Sequence, residues 1–302
     1  MPSRLDPGTL YVVATPIGNL RDLSQRALEV LGSADTLFAE DTRTTRRLMT
    51  HHGLSVRLVS AHAHNEPQRA RELVRRLEAG EAVAVVTDAG SPGLSDPGGR
   101  LVAAAAAAGR RVVAVPGPSA LVAALSVCGL PTDAFSFAGF LPSRVGPRRR
   151  RLEELLGRGE TLVFFEAPHR VRTTLKMLDA LAPEARVAAC REMTKKFEEV
   201  LRGRPGEVLE QLTAERERGE WTLVLSPGDA TARETPPPAS RGTRAKGEKR
   251  GSAGARARVR GNPVDAWIEE QVRQGTAPEE ARQRAHFLYG GAKPRSKPGR
   301  RA

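Results

Sequence analysis

Three glycine- and proline-rich stretches stand where short apolar runs end: "TPIGNLRDLS" (15–24), "TDAGSPGLSDPGG" (87–99) and "PGPSAL" (116–121). Glycine lets a ligand approach the main chain closely, and a loop that opens a helix points N–H groups outward. Together the three describe a pocket built largely from backbone. The sequence argues against a dinucleotide-binding fold, because the first loop has Gly18 as its only glycine, lacks GxGxxG, and no GxxxxGK[ST] occurs anywhere. A small ligand with an adenosyl or amino-acid portion fits better. Groups able to move a proton or hold an anion accompany the loops: Glu40, Asp41 and Arg43; Glu166, His169 and Arg170; Arg191, Glu192, Lys195 and Lys196. Glu40 and Asp41 follow a buried run, Thr36 to Ala39, so their carboxylates emerge at the edge that carries the loops; an ion pair of Asp41 with Arg43 is the structural alternative. For Asp88 and Asp96 the structural alternative is satisfaction of backbone donors in a tight turn. His62, His64 and His169 are scattered, and Cys128 and Cys190 lack CxxC spacing, so no metal is expected.

The elements that must position these residues alternate. "LYVVA" (10–14), "TLFA" (36–39), "VRLVS" (56–60), "VAVV" (83–86) and "VVAV" (112–115) read as strands separated by helices, a pattern that argues for βα units and a largely parallel sheet. Ala70, Leu73, Val74 and Leu77 form one helical face, and "RLVAAAAAAG" is a helix closed by Gly109. In such sheets ligands sit beyond the carboxyl ends of the strands, where the three loops fall. A second α/β domain starts near "GLPTDAF" (129–135), with strands at "FSF", "TLVFFE" (161–166), "RVAAC" (186–190) and "WTLVLS" (221–226) and helices around 170–182 and 205–218.

Charge and composition change after residue 228. Residues 229–302 hold 17 Lys or Arg against 8 Asp or Glu, a net +9 of the chain's +13. An excess of cations points to a polyanionic partner, because each neutralised phosphate releases counterions. Residues 229–262 lack the apolar side chains needed to offset ordering entropy and read as a disordered basic linker. A helical segment is expected over 263–290, with Thr276 and Glu279 as a capping box, followed by a basic tail over 291–302. Arg144 and Arg148 to Arg151 add a second basic feature where a loop enters a helix. No run approaches the ~18 apolar residues of a membrane span and no signal core is present at the N-terminus, so no membrane partner and a cytoplasmic location are expected.

The ordered motifs "TPIGNL" (15–20), "AEDTR" (39–43), "HNE" (64–66), "DAGSPGLSDPG" (88–98), "PGPSA" (116–120), "GFLP" (139–142), "FEAPHR" (165–170) and "REMTKKFEE" (191–199) resemble the ribosomal RNA small subunit methyltransferase I family over about residues 8 to 228. That family is of the tetrapyrrole-methylase-like, S-adenosylmethionine-dependent class. The resemblance implies a two-domain α/β fold, with residues 8–128 and 129–228 as its domains and the cofactor in a cleft between them. It implies 2′-O-methylation of a cytidine in the decoding centre of 16S rRNA, a substrate that is the rRNA or the small ribosomal subunit, and a homodimer. It places Ile17, Ser91, Leu94, Ser119, Ala120, Phe165, Met193 and Trp221 at S-adenosylmethionine. Asp41 is then the expected proton acceptor with Lys195 orienting the hydroxyl, and Glu40 and Glu166 are the alternatives. Arg43, Arg148, Arg149, Arg150, Arg170 and Lys196 are expected to meet RNA. A tetrapyrrole C-methyltransferase and a non-catalytic, basic ribosome-assembly protein remain the competing readings.

Overall fold

The computed structural model describes residues 5–227 together with 268, 271–273, 277–279 and 282. Met1–Glu234 forms one compact unit and Thr235–Ala302 another. The expected linker and tail, Thr276, and most of the expected 263–290 segment lie outside the described residues; within that segment 268, 271–273, 278, 279 and 282 are helical. No helix among the described residues is long and apolar enough to cross a membrane.

The first half of the large unit is a parallel sheet of β1 (Thr9–Val13), β2 (Thr36–Ala39), β3 (Arg57–Ser60), β4 (Val83–Val86) and β5 (Arg111–Val115), in the order β3-β2-β4-β1-β5. Alternation along each strand divides its side chains between two faces. Tyr11, Val13, Leu37, Ala39, Ala84 and Val86 pack with α1 (Gln25–Ser33) and α2 (Thr42–His51) on one side. Leu10, Phe38, Val83 and Val85 pack with α3 (Glu66–Glu78) and α4 (Gly99–Ala107) on the other. Both faces being covered explains why β2 and β4 are buried at every position.

The strand order is what assembles the site. β4, β1 and β5 are neighbours, so the three loops that follow them lie side by side. Thr15 and Gly90 exchange main-chain hydrogen bonds of 2.9 and 3.0 Å, and the Thr15 hydroxyl donates to the Thr87 carbonyl at 3.0 Å.

A second sheet combines β6 (Phe135–Phe140), β7 (Thr161–Glu166), β8 (Arg186–Arg191), β9 (Glu199–Gly203) and β10 (Trp221–Ser226) in the order β6-β7-β10-β8-β9. Only β6 and β7 are parallel; the remaining pairs are antiparallel. One face is covered by α6 (Val145–Leu156), α7 (Pro168–Leu181) and α8 (Pro205–Gln211). The other packs Val163, Ala188, Cys190 and Val224 against Ala124 and Cys128, at and just after α5 (Ala120–Val127), and against Ile17 from the first half. α5 and the first loop are therefore where the two sheets share a core.

The second half departs from expectation in two places. β9 is not legible in the sequence, because "EVLRG" offers only two large apolar residues and becomes a strand by pairing with β8. α8 stops at Gln211 instead of 218, since Arg172 takes the Leu212 carbonyl and the Glu217 carboxylate and turns the chain away.

Candidate active site

A cavity of about 340 Å³ opens where the loops of the first sheet face the ends of β7 and β10. Ile17, Gly90, Ser91, Leu94, Ser95, Asp96, Ser119 and Ala120 form one wall, and Phe140, Phe165, Glu166, Pro168, Glu220 and Trp221 the other. Of the eight residues expected at a cofactor, seven line this space. Met193 lies behind it, buried in the core shared with Ile17. Gly90 has φ +78°, a conformation that side chains rarely adopt, and a Cβ there would stand 3.5 Å from Ile17 Cγ2.

Two buried donors on the wall have no partner: the Ser119 hydroxyl and the Trp221 indole N–H. Ser119 is the N-cap residue of α5, yet its side chain makes no capping bond. An unpaired buried donor costs free energy, and neither atom is accessible from the cavity as the wall stands.

The carboxylates separate by environment. Asp41 N-caps α2 by accepting the Arg43 N–H at 2.8 Å and forms an ion pair with the Arg43 guanidinium at 2.9 Å. Those bonds hold its carboxyl down at about 2. It is not among the residues lining the cavity. Asp41 is thus a helix cap with its lone pairs engaged, unlike the proton acceptor expected of it. Glu166 lines the cavity but is fully buried and saturated by Arg170 at 2.6 Å, the Thr174 hydroxyl at 2.6 Å and the Ala167 N–H at 2.8 Å. Glu40 accepts a long bond, 3.4 Å, from the Asp88 N–H, and burial raises its pKa, with Asp88 and Asp41 adding repulsion.

The sequence marks Asp96 only as a turn residue. In the structure it stands on the cavity wall with no hydrogen bond or ion pair among the described residues. Desolvation, then the carboxylates of Glu40 and Asp88, push its pKa up to about 6. Ser95 beside it has φ +66°, a strained conformation for a non-glycine residue. No local pattern distinguishes Asp96; what sets it apart is proximity to charges far away in sequence.

Lys195 reaches the site from the second sheet. It bonds Glu192 at 2.9 Å and Glu220, on the cavity wall, at 3.0 Å. Burial opposes its charge, but these two partners raise its pKa, so it remains an ammonium.

The expected RNA-contacting cations scatter. Arg148 is a correction: it is 3% exposed and faces Thr174 at 3.1 Å and Glu166 at 3.7 Å, because residue 148 falls on the inward stripe of α6 with Leu152 and Leu155. Arg170 is drawn inward to Glu166 and the Leu141 carbonyl. Arg149 is exposed but paired with Glu153; Arg150, Lys196 and Arg43 are exposed.

The chain has the tetrapyrrole-methylase fold. The family model described as Tetrapyrrole (Corrin/Porphyrin) Methylases matches residues 9–209. The fold is shared with uroporphyrin III C-methyl transferase from Thermus thermophilus (20% identity, TM-score 0.51, 72% of this chain and 97% of that one). It is shared too with the cobalamin biosynthetic enzyme cobalt precorrin-4 methyltransferase (16% identity, TM-score 0.55, 72% and 95%). Nearer relatives are called ribosomal RNA small subunit methyltransferase I. That of Xylella fastidiosa is 48% identical over 222 residues, 72% of this chain and 81% of the relative, and that of Escherichia coli O157:H7 is 43% identical over 237 residues, 78% and 83%. The chain belongs to the ribosomal RNA small subunit methyltransferase I family.

Proposed function

We propose that the protein transfers the methyl group of S-adenosylmethionine to the 2′-hydroxyl of a cytidine in the decoding centre of 16S rRNA, presented as rRNA or within the small subunit. The observation that carries the reading is the cavity itself, where the loops after β1, β4 and β5 bring Ile17, Ser91, Leu94, Ser119 and Ala120 against a wall of Phe140, Phe165 and Trp221. A ligand with an aromatic ring and acceptor atoms suits that wall, since pockets of this kind combine apolar area with a few placed polar groups. Adenosyl and amino-acid groups offer both. Ile17, Ser91, Leu94, Ser119, Ala120, Phe165 and Trp221 would hold the cofactor, with Met193 packed behind them.

The cofactor supplies an electrophilic methyl group on a sulfonium. What remains for the protein is to align a ribose hydroxyl and accept its proton. Asp41 and Glu166 are engaged in caps and ion pairs, and Glu220 is bonded to Lys195. Asp96 is the carboxylate on the cavity wall left free, and its pKa of about 6 suits a base working at neutral pH. We therefore assign it the proton. A homodimer is part of the proposal: α5 leaves Val122 and Val127 exposed, and the edge strand β6 leaves Phe135 exposed, apolar area that a second copy would cover.

Mass-spectrometric mapping of ribose methylation on small-subunit rRNA, from cells with and without the protein, tests the reading. One 2′-O-methylated cytidine should vanish in its absence and return when purified protein and S-adenosylmethionine are added. An unchanged map would refute it.

A further inference from the structure

The helix α2 follows directly from the "AEDTR" loop, and its exposed face is entirely cationic or neutral. Thr45, Leu48 and Met49 are buried against the sheet, which turns Arg43, Arg46 and Arg47 outward at i, i+3 and i+4. No acidic residue occurs within "TRTTRRLMTH". Like charges at these spacings repel, and cations near a helix N-terminus oppose its dipole, so the arrangement costs the free protein stability. Only Arg43 is compensated, through Asp41; neither the Arg46 nor the Arg47 side chain has a hydrogen bond or ion pair among the described residues.

α6, the basic helix that the sequence advertises more loudly, is the useful contrast. Its Arg149 pairs with Glu153 and its Arg151 with Glu154, so much of its charge is already neutralised within the helix. α2 has no such internal partners beyond its cap.

Two grooves place the free arginines in relation to the cavity. Arg43, Arg46, Arg47 and His51 line one shallow groove along α2. Arg47 also lines a second, with Pro16 and Leu20 of the first loop and Thr87 and Asp88 of the loop after β4. Residues of those same two loops, Ile17 and Ala89 to Ser91, form the cavity wall. A chain laid along α2 is thereby led to the loops that hold the reaction.

We propose that the exposed face of α2, through Arg46 and Arg47, is a phosphate-binding track that carries the RNA backbone toward the cavity. The inference rests on RNA being the substrate, as proposed above. Phosphates fit where carboxylate partners are lacking, because guanidinium groups pair with them bidentately and bring no base specificity. The track therefore sets affinity and register, while the cavity selects the nucleotide.

The test measures binding of a fluorescent small-subunit rRNA fragment against salt concentration for the full chain, the Arg46→Gln/Arg47→Gln variant and an Arg151→Gln/Arg158→Gln control at and just after α6, where both arginines are paired with Glu154. Both pairs are surface-facing, and unchanged melting temperature and S-adenosylmethionine affinity serve as the folding check. Because the α2 variant leaves two phosphates without their cations, the log–log salt slope should fall by about 1.4 to 1.8, with at least tenfold weaker binding at low salt. The single variants should each lose about half of that slope. The α6 control should keep the wild-type slope. Wild-type slope and affinity in the α2 variants would overturn the track while leaving the substrate reading intact. A wild-type protein that binds and methylates no RNA would remove the substrate reading, and the track with it. Displacement of RNA by polyglutamate at equal charge concentration would overturn the RNA assignment in favour of an acidic protein partner.

Discussion

The side chain of Lys195 lies across Gly18 so closely that a Cβ on that glycine would stand 2.3 Å from Lys195 Cγ. Gly18 belongs to the loop after β1 and Lys195 to the loop after β8, so this contact joins the two sheets at the rim of the cavity. The ammonium then reaches Glu192 and Glu220, which fixes the stem in place. Gly18 has no positive φ, so an alanine is tolerated by the backbone and its whole effect falls on Lys195. Gly18→Ala should lower the melting temperature, because the pinned Lys195 stem must shift, and lower kcat/KM for RNA methylation by about 10- to 100-fold, the usual cost of misplacing a site by about an ångström. Steady-state kinetics beside a thermal melt check this; unchanged kinetics would make the contact incidental.

Asp96→Asn isolates the assigned proton acceptor. With a pKa near 6, wild-type methyl transfer should rise through that pH and then level, whereas the Asn variant should lose the limb and about 10²-fold or more in rate. A second readout needs no substrate. The folded-state pKa of Asp96 is raised above its ordinary value of 3.8, so the stability it gives when protonated is lost as pH rises from about 4 through 6. The Asn variant lacks that loss and should melt higher than wild type at pH 7 to 8, but not at pH 4. Equal melting curves at both pH values would contradict the environment described for Asp96.

Asp41→Asn should behave in the opposite way. Its carboxyl is held at about 2 by Arg43, so its contribution to stability is complete above pH 4 and is lost as pH falls toward 2. Asn is also a good N-cap, and turnover should stay within about fivefold of wild type; Asp41→Ala, which removes the cap, should lower the melting temperature at neutral pH. A rate loss of about 10²-fold in Asp41→Asn with an intact fold would restore Asp41 as the base.

Arg148→Met tests the buried network beneath the cavity. The variant keeps the aliphatic stem but leaves Glu166 with Arg170 as its sole cation. Unfolding free energy should fall by about 3 kcal/mol, the low end for a broken buried pair because Arg170 still compensates. The salt slope of RNA binding should not change, which urea denaturation and the binding titration together would check.

The three loops and the strands before them were legible because they depend on neighbours in the chain. β-branched runs favour extended backbone, glycine tolerates positive φ, and an apolar period of two or of 3.6 needs no distant partner to be recognised. Ile17, Ser91 and Ser119 were singled out through a motif resemblance, and the structure places all three on one cavity. Sequence could not distinguish Arg148 from Arg149. They are adjacent in "RRRR", and only the angular phase of α6 against the second sheet sends one inward and its neighbour to solvent.

What the sequence by itself determined, then, was the alternation of elements, the loops that end the strands and the family to which the motifs point. The strand order β3-β2-β4-β1-β5 was decided only in three dimensions, and with it the meeting of loops that lie about 30 to 100 residues apart. The same holds for the division of labour among the carboxylates. Asp41 is depressed by a guanidinium two residues away, whereas Asp96 is raised by burial and by Glu40 and Asp88. The reason is that ionisation responds to solvent exposure and to charge separation through space. Glu40 and Asp96 come within electrostatic reach only because β2 and β4 are hydrogen-bonded neighbours.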